Sequence, residues 1–575
     1  MALPARKRRD SIMKVIIVGG VAGGASAAAR LRRLDEQAEI VLLERGPYIS
    51  FANCGLPYYI SGEIRDRAQL SVQTPESFAA RFAVDVRILS EAVDVDRNSK
   101  TVTIVDHATG RRYQERYDKL LLSPGAEPVR PPLPGVDNAR IFTLRTIPDA
   151  VAIRTFLETQ HPTQALIVGA GYIGMEMAEA LHTAGLHVTV VEMLPHAIGP
   201  LDYDMACQVH QYAREKGVQL KLNCGVASFE EKGSALFAHL TDGSLLPCDL
   251  VLLSTGVRPD TALAKKAGLE TNEKGAILVN DELRTSAEDI YAVGDAIAIR
   301  DAVTDLPGYV PLAGPANKQG RLAADNLCGA HKRYRGTQGS AVLKLFDLTI
   351  ATTGLNERAA GAAGLPFDAV HLYTPSHASY YPGSTGLSLK VLFHTETGRI
   401  LGAQLVGFEG VDKRCDVLAA AIRHGLTAYD LAELELCYAP PYSSAKDPVN
   451  LAGFAIENLL DGKVKQAHWQ TAFPLPENAQ LLDVRTQEEY EEGHIPGALH
   501  IPLDALRSRL DELDRTRPLY VHCQSGLRSY VACGILSQHR FHCLNLSGGY
   551  RLYALLNGEQ ADDAPIHACG VKIPS

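Results

Sequence analysis

The sequence predicts an α/β protein that is divided into several domains, and three observations support this fold class. At 575 residues the chain is too long for one hydrophobic core, so two to four domains are expected. Two segments, 14–44 and 164–192, each have the pattern of an apolar strand, a glycine turn, an alanine-rich helix and a second strand that ends in an acid. From residue 478 onward a strand–loop–helix pattern indicates a further small α/β domain.

Charge and hydropathy exclude several classes of protein. A formal net charge of −9 over this length gives no electrostatic case for nucleic-acid binding. No apolar run approaches the roughly 18 residues of a membrane span. The opening MALPARKRRD lacks the apolar segment of a signal peptide, and we expect the natural start at Met13. The eleven scattered cysteines predict neither a disulfide framework nor a metal site, which favours a reducing, cytoplasmic location.

The first strand–turn–helix segment matches the βαβ dinucleotide fingerprint, in which phosphates bind at a helix N-terminus and the closing acid binds a ribose hydroxyl. It departs from G-x-G-x-x-G at one position, where Val21 stands in place of the middle glycine. The cofactor-binding residues predicted in this segment are Gly19, Gly20, Ala22, Gly23, Gly24 and Glu44.

The second segment carries the complete fingerprint. Its predicted cofactor-binding residues are Gly169, Gly171 and Gly174, which Glu176 follows, and the closing acid Glu192. A single glycine motif would also fit an ordinary strand–turn–helix, but two copies favour two dinucleotides. FAD with NAD(P)H is the economical pair, because a flavin accepts a hydride and passes electrons to sulfur. Glu192 has no adjacent arginine, which favours NADH over NADPH.

Three later stretches complete the organisation of the chain. TSAEDIYAVGDAI places Gly294 and Asp295 just past a strand, where the carboxylate would bond flavin ribityl hydroxyls. Between about 340 and 460 the pattern changes to antiparallel strands with one long helix, which indicates an α+β domain. A polar, proline-containing linker with the only tryptophan then precedes the C-terminal domain.

Residues 13 to about 460 resemble the pyridine nucleotide–disulfide oxidoreductases, and among them the coenzyme A-disulfide reductases. The resemblance is carried by VGGVAGGASAAARLRRL, SFANCGLPYYISG, GAGYIGMEMAE, IYAVGDA, PLAGPANKQGR and YAPPYSSAKDPVN. It implies two Rossmann-like domains and a homodimer. The domains that we predict are a discontinuous FAD-binding domain (13–125 and 255–335), an NAD(P)H-binding domain (126–254), an α+β dimerisation domain (336–460), a linker (461–477) and a C-terminal α/β domain (478–570).

Cys54 in SFANCGLPYY lacks the second cysteine that disulfide reductases of the glutathione reductase type carry, because Tyr59 stands at that position. Its sulfur partner must therefore be a substrate thiol, a sulfane sulfur or, as a sulfenic acid, an oxygen. A buried, inert thiol is the alternative. We expect that inert state for Cys207, Cys224, Cys248, Cys328, Cys415, Cys437, Cys533, Cys543 and Cys569.

The resemblance implies that Cys54 lies beside the flavin with a lowered pKa and that coenzyme A is held around it. The implied coenzyme A residues are Ser26, Arg30, Arg33, Ser50, Asn53, Asn317 and Lys446, with Arg81 as a weaker candidate. Cationic side chains suit a phosphate-rich ligand, although Arg30 and Arg33 would also fit a solvated helix face.

The resemblance also assigns Tyr438 as the active-site tyrosine that is contributed across the dimer interface. Tyr380 or Tyr381 supplies a second one, and the sequence does not choose between them. A tyrosine here would hydrogen-bond the departing thiolate. Interface packing is the alternative role.

Residues 478–570 resemble a single rhodanese module, through LLDVR, GHIPGALHIP and CQSGLRS. A strand leads into the loop that follows Cys523, whose backbone N–H groups would cradle an anionic sulfur while Arg528 adds positive charge. A phosphatase loop has five residues between its cysteine and arginine, whereas here there are four, so that alternative is disfavoured.

Together the two cysteines favour reduction of coenzyme A persulfide or polysulfide to thiol and hydrogen sulfide. Cys54 would form the mixed disulfide with coenzyme A, and Cys523 would carry sulfane sulfur to a coenzyme A thiol, with the pantetheine chain moving between the two. The alternatives are coenzyme A-disulfide reduction for thiol homeostasis, NADH oxidase or peroxidase chemistry through a Cys54 sulfenic acid, and a redox or sulfide sensor.

Overall fold

The computed structural model describes residues 12–558, and the chain divides into two compact units. Unit 1 comprises the described residues up to Val191 together with Cys224–Thr337. Unit 2 comprises Glu192–Asn223 and the described residues from Gln338 onward. The basic opening, Cys569 and the end of the predicted rhodanese domain lie outside the described residues.

Unit 1 contains a parallel sheet that begins at the first glycine segment. Its strand order is Ile290–Ala292, Lys119–Leu122, Lys14–Val18, Glu39–Leu43 and Asp85–Arg87. Because both faces of this sheet are covered, its strands are continuous apolar runs rather than alternating ones. Helix Ala22–Leu34 follows the first strand and packs against helix Ala313–Leu327.

A second parallel sheet in unit 1 contains the other glycine segment. Its strands in this unit run in the order His187–Val191, Gln164–Val168, Leu250–Leu253 and Ile141–Phe142. Helix Tyr172–Thr183 connects strand Gln164–Val168 to strand His187–Val191. Two antiparallel sheets are made by Ser90–Asp96, Thr101–Asp106 and Arg112–Arg116, and by Val226–Lys232, Ala235–Leu240 and Leu245–Cys248.

The smaller elements of unit 1 connect these sheets. Its other helices are Asn53–Gly55, Leu56–Ser61, Arg67–Leu70, Pro75–Phe82, Ile147–Gln160, Ala262–Lys266 and Gly294–Ala296. Two short strand pairs are Ala126–Pro128 with Val257–Pro259 and Ile299–Arg300 with Pro307–Gly308.

Unit 2 contains the antiparallel sheet of the predicted α+β domain. Its order is Ala341–Leu345, Leu348–Gly354, Ile400–Gly407, Gly386–His394 and Phe367–Pro375. The remaining elements of this part are the strand Gln219–Lys221 and the helices Tyr203–Glu215, Glu357–Ala362, Val411–His424, Ala428–Glu433 and Pro448–Leu460. The predicted change from parallel to antiparallel structure is confirmed.

The C-terminal part of unit 2 is a parallel sheet with helices around it. Its strand order is Gln466–Ala467, Cys543–Leu546, Leu519–His522, Gln480–Asp483 and Leu499–His500. Its helices are Trp469–Ala472, Gln487–Glu492, Leu503–Leu506, Leu510–Glu512, Leu527–Gln538 and Gly549–Leu556. The mixed α/β class predicted for the whole chain is confirmed.

The segment 461–477, predicted as a linker, contributes to this C-terminal sheet. Residues Gln466–Ala467 form its edge strand, and Trp469 is only 3% exposed. The indole packs against Phe473, Tyr553 and His522, with ring centroids 5.1–5.9 Å away. Burial of this aromatic cluster explains why a polar stretch is built into the domain.

None of the helices within residues 12–558 has both the length and the apolarity of a membrane span.

Candidate active sites

The first glycine turn is shaped by contacts of the chain with itself. Gly19 has φ +96°, and a Cβ on Gly24 would lie 1.9 Å from the Gly19 carbonyl oxygen, so both positions require glycine. Val21 has φ −101°, outside the left-handed region that favours glycine, which is consistent with the departure from the fingerprint. The Glu44 carboxylate accepts from the amide of Gly20 at 2.9 Å. No side chain caps the helix that begins at Ala22, as a phosphate-binding helix requires.

In the second glycine turn, two glycines are required by tight packing and the third faces open space. A Cβ on Gly174 would lie 2.1 Å from the Gly169 carbonyl oxygen, so these two are required by packing. Around Gly171, in contrast, no other part of residues 12–558 beyond its immediate neighbours along the chain lies within 4 Å of where a Cβ would stand. The open space fits the close approach of a dinucleotide pyrophosphate to the backbone. Glu192 belongs to unit 2, where its carboxylate accepts from the Leu194 amide at 2.9 Å.

Asp295 is held by an arginine that the sequence analysis missed. Its carboxylate accepts from Arg145 Nη2 at 2.9 Å, and the amide of Gly294 donates to Gln319 Oε1 at 2.7 Å. The hydroxyl of Tyr309 donates to the Asp295 carbonyl at 2.9 Å. Arg145 is 150 positions away in sequence and stands in no motif, so no local signal identifies it.

Cys54 is exposed and lies in the single turn Asn53–Gly55, directly before helix Leu56–Ser61. The expected lowering of its pKa is not found. Partial desolvation of the sulfur and the carboxylate of Glu176 raise the pKa of Cys54, and Arg145 offsets only part of this rise. Desolvation and the two carboxylates of Glu176 and Asp295 together outweigh the one cation, which is why the thiol is favoured.

Glu176 is the second site residue whose role the sequence did not reveal. Its helix, Tyr172–Thr183, packs against helix Leu56–Ser61, at whose N-terminus Cys54 lies. Burial and the neighbouring Glu179 raise the pKa of Glu176 to about 7. This carboxyl group therefore exchanges a proton near neutral pH, as a group beside a sulfur nucleophile is suited to do.

Tyr59 occupies the position of the missing second cysteine as a buried side chain. The guanidinium of Arg154 lies 4.5 Å from the centre of its ring and also donates to the Tyr59 carbonyl at 3.2 Å. The stack is a stable aromatic contact and supplies no thiol. The Cys54 sulfur is thus left available for a substrate.

Four of the residues predicted to bind coenzyme A lie on two helices that pack against each other. Ser26, Arg30 and Arg33 share one face of helix Ala22–Leu34, and the Ser26 hydroxyl donates to Asn317 Oδ1 at 2.5 Å. Helix Ala313–Leu327 approaches helix Ala22–Leu34 closely because Gly320 has no side chain. A Cβ on Gly320 would lie only 2.2 Å from a backbone oxygen of the other helix.

The two arginines of this face differ in their surroundings. Arg30 pairs with Asp325 at 2.8 Å, so its guanidinium is already engaged, and Lys332 binds the same carboxylate at 2.7 Å. Arg33 is exposed, and its guanidinium lies 5.7 Å from the ring centre of Phe82. Arg33 is therefore the better placed of the two to meet a phosphate.

The other predicted coenzyme A residues belong to different elements of the chain. Ser50 has φ +43°, and Asn53 Nδ2 donates to the Arg145 carbonyl at 3.4 Å. Arg81 is exposed at the end of helix Pro75–Phe82. Lys446 belongs to unit 2 and is exposed there.

The structure distinguishes between the two neighbouring tyrosines. The hydroxyls of Tyr380 and Tyr438 are 3.0 Å apart, whereas Tyr381 packs edge-on against His377. Both hydroxyl-paired tyrosines are exposed, at 74% and 48%. Tyr380 is therefore the partner of Tyr438.

Six of the other cysteines within residues 12–558 are buried, as was expected, namely Cys207, Cys224, Cys248, Cys415, Cys533 and Cys543. Cys328 is half-buried. Cys437 is exposed, contrary to the expectation, because it precedes Tyr438 on the surface loop between helices Ala428–Glu433 and Pro448–Leu460.

Cys523 is fully buried at the end of strand Leu519–His522. Its sulfur accepts from the Gly526 amide at 3.1 Å and lies 3.5 Å from the Ser529 hydroxyl oxygen. Asn545 completes this cradle, because its side chain accepts from the Ser529 hydroxyl at 2.6 Å and donates to the Gly526 carbonyl at 3.2 Å. Neither Asn545 nor the role of Ser529 was predicted.

Arg528 is buried and forms a two-pronged ion pair with Glu489, at 2.7 and 2.8 Å. Its guanidinium is therefore bound to a carboxylate, while its charge still interacts electrostatically with Cys523, as the sequence predicts. The strand residue His522, which precedes Cys523, is neutral, because burial lowers its pKa to about 4. The backbone amide of Gly526 and the hydroxyl group of Ser529 are thus the direct contacts of the Cys523 sulfur.

Three family models match the chain. The pyridine nucleotide-disulphide oxidoreductase model matches residues 13–320, its dimerisation-domain model matches residues 340–448, and the rhodanese-like domain model matches residues 473–555. The coenzyme A disulfide reductase of Staphylococcus epidermidis is 36% identical over 445 residues, which cover 77% of this chain and 99% of that protein.

Two solved structures are similar over nearly the whole chain. Reduced CoADR-RHD of Bacillus anthracis has a TM-score of 0.94 and 46% identity, and covers 96% of this chain and 99% of that one. The NAD-dependent persulfide reductase of A. fulgidus has a TM-score of 0.89 and 38% identity, and covers 94% of this chain and 100% of that one.

Proposed function

Because the chain belongs to the pyridine nucleotide-disulphide oxidoreductase family and carries a rhodanese-like domain, we propose that it reduces coenzyme A persulfide and polysulfide, and coenzyme A disulfide, with electrons from NAD(P)H. The observation that carries the proposal is an exposed Cys54 without a second cysteine, on a chain that also holds Cys523 in a sulfur cradle. A single cysteine forms a mixed disulfide with the substrate instead of an internal disulfide.

The proposed reaction begins at Cys54. Its thiolate attacks the coenzyme A-side sulfur of the persulfide, the sulfur–sulfur bond breaks, and hydrosulfide leaves. Two electrons then cleave the mixed disulfide, so that the coenzyme A thiolate departs and the Cys54 thiolate returns. Two protons complete hydrogen sulfide and coenzyme A thiol, and Glu176 is the group that exchanges a proton near neutral pH.

The two glycine turns would hold the cofactors. Gly19 to Gly24, Glu44 and Asp295 would bind FAD, and Gly169 to Gly174 with Glu192 would bind the nicotinamide dinucleotide, with NADH preferred over NADPH. Bound flavin supplies the transfer of two electrons from the nicotinamide to sulfur. Arg145, paired with Asp295, is the cation that favours the Cys54 thiolate.

Coenzyme A is proposed to bind at the surface lined by Ser26, Arg33 and Asn317. The tyrosine pair Tyr380–Tyr438 would donate a hydrogen bond to the departing thiolate in a homodimer.

Cys523 is the proposed carrier of sulfane sulfur. It would take sulfur from polysulfide or thiosulfate and pass it to a coenzyme A thiol, which then becomes the substrate of Cys54. A second candidate function is coenzyme A-disulfide reduction alone, which the similarity to the Staphylococcus epidermidis reductase supports.

Anaerobic NADH oxidation with coenzyme A persulfide, and separately with coenzyme A disulfide, tests the proposal. We expect persulfide to be the better substrate, Cys54→Ser to be inactive, and Cys523→Ser to fail selectively with polysulfide. Cys328→Ser is the matched control in unit 1. If coenzyme A disulfide is preferred and Cys523→Ser is unchanged, the second candidate function replaces the first.

A further inference from the structure

The turn formed by residues 547–551, which includes the start of helix Gly549–Leu556, holds the backbone of the Cys523 loop, residues 523–529. The amide of Tyr550 donates to the Cys523 carbonyl at 2.7 Å, and the amide of Arg551 donates to the Gln524 carbonyl at 3.0 Å. Gly549 has φ +60°, and a Cβ there would lie 2.5 Å from the Cys523 carbonyl oxygen. The turn and the loop are therefore in direct contact, and a shift of one moves the other.

This turn is anchored to the antiparallel sheet of unit 2 through Ser547. This serine is 5% exposed, and its hydroxyl lies 3.0 Å from Nδ1 of His371, on strand Phe367–Pro375. The other ring nitrogen, Nε2, lies 2.8 Å from Oδ2 of Asp204 on helix Tyr203–Glu215. One chain of hydrogen bonds thus runs from the helix through the sheet to the turn behind Cys523.

The protons along this chain follow from its charges. Burial alone would raise the pKa of Asp204, but Lys390 and His371 outweigh it and hold that pKa well below its usual range. The carboxylate therefore only accepts, so Nε2 of His371 carries a proton. Burial lowers the pKa of His371, which keeps the ring neutral and Nδ1 an acceptor. The Ser547 hydroxyl is consequently the donor.

The acid, imidazole and hydroxyl stand in the order of a hydrolase triad, yet the geometry does not support nucleophilic catalysis. Ser547 is buried, and Asp204 is already paired with Lys390 at 2.7 Å. Both nitrogens of His371 are engaged, so its ring cannot turn without breaking a buried hydrogen bond. The chain instead fixes the direction of the Ser547 hydroxyl and, with it, the start of the turn.

We propose that His371 and Ser547 are positioning residues for sulfur transfer at Cys523, holding its loop in the geometry in which the sulfur is presented to donor and acceptor. The inference rests on the proposed role of Cys523 as a sulfur carrier. Neither residue contacts the Cys523 sulfur, so their loss affects the rate of transfer rather than the binding of the sulfur donor.

The test measures sulfur transfer by the full chain from thiosulfate to cyanide. The Cys523 thiolate takes the outer sulfur and releases sulfite, and cyanide then removes that sulfur as thiocyanate. The variants are Ser547→Ala and His371→Gln, whose amide still donates to Asp204 but offers Ser547 no acceptor at the Nδ1 position. Ser537→Ala, an exposed serine on helix Leu527–Gln538, is the matched control.

We expect each single variant to lower kcat by about fivefold to tenfold at an unchanged KM for thiosulfate. Because both act through one hydrogen bond, the double variant should be no slower than the slower single variant. Fluorescence of Trp469, the only tryptophan, monitors folding of this part of unit 2 in every sample. NADH oxidation with coenzyme A disulfide should not change.

Several results would overturn the inference. These are single variants within about twofold of wild type, rate losses that multiply in the double variant, or losses of kcat that merely track a lower unfolding midpoint. A wild type that transfers no sulfur at all would refute the proposed role of Cys523 itself, and the positioning role with it.

Discussion

Replacing Lys390 with methionine is the sharpest test of how unit 2 is held together. Lys390 lies on strand Gly386–His394 and is 0% exposed. Its ammonium group is 2.7 Å from Asp204, 2.8 Å from Glu357 and 3.0 Å from Asp202. Methionine keeps most of the volume and removes the charge, so two buried carboxylates lose their cation.

The expected loss of stability follows from the burial of each partner. Glu357 is 42% exposed, so solvent screens its pair, which contributes little. The side chains of Asp204 and Asp202 are 1% and 8% exposed, and leaving such charges unpaired costs about 3–5 kcal/mol. For a unit of this size that corresponds to a fall in Tm of about 6–20 °C.

The loss also depends on pH, with a definite sign. Lys390 and His371 depress the pKa of Asp204 against the effect of burial, so the stabilisation is present above the unfolded value of about 3.9 and is lost as the pH falls through the folded value. Without Lys390 this depression largely disappears. The difference in stability between wild type and Lys390→Met should therefore be largest above about pH 5 and become smaller below it.

Thermal unfolding followed by Trp469 fluorescence reports on unit 2 alone, because this is the only tryptophan. Lys344→Met, an exposed lysine on strand Ala341–Leu345 of the same sheet, is the control. A Tm for Lys390→Met within about 2 °C of that control would refute the reasoning, as would a deficit that grows on acidification.

Three further predictions concern unit 1. Glu176→Gln should raise the rate of Cys54 alkylation by iodoacetamide about threefold to tenfold over wild type at about pH 8, with little change below about pH 6. The reason is that Glu176, with a pKa of about 7, is charged only at the higher pH. Equal rates for the variant and the wild type at both pH values would contradict this. Gly171→Ala should raise the KM for NADH by about tenfold or more without changing Tm, since its Cβ would enter only open space; an unchanged KM would argue against a cofactor cradle. Gly320→Ala should destabilise unit 1 by about 1–3 kcal/mol in denaturant unfolding, because the Cβ meets the Gly23 carbonyl oxygen at 2.2 Å; an unchanged midpoint would contradict the close helix packing.

The short motifs that carry the chemistry of this chain could be identified from its sequence. The glycine turns at Gly19 and Gly169, the lone Cys54 and the Cys523 loop are each encoded within a few adjacent residues. The apolar runs of the parallel strands and the change to antiparallel structure follow from periodicity, which is also a local property. For these reasons the family and the mixed α/β class were predicted and are confirmed.

What the tertiary structure decided is which distant side chains meet and how deeply they are buried. Arg145 pairs with Asp295 across 150 positions, and His371 joins Asp204 to Ser547 across 167 and 176. No periodicity or spacing encodes such pairs. The pKa of Cys54 was predicted in the wrong direction for the same reason: it depends on desolvation and on Glu176, whose effects exist only once the chain is folded.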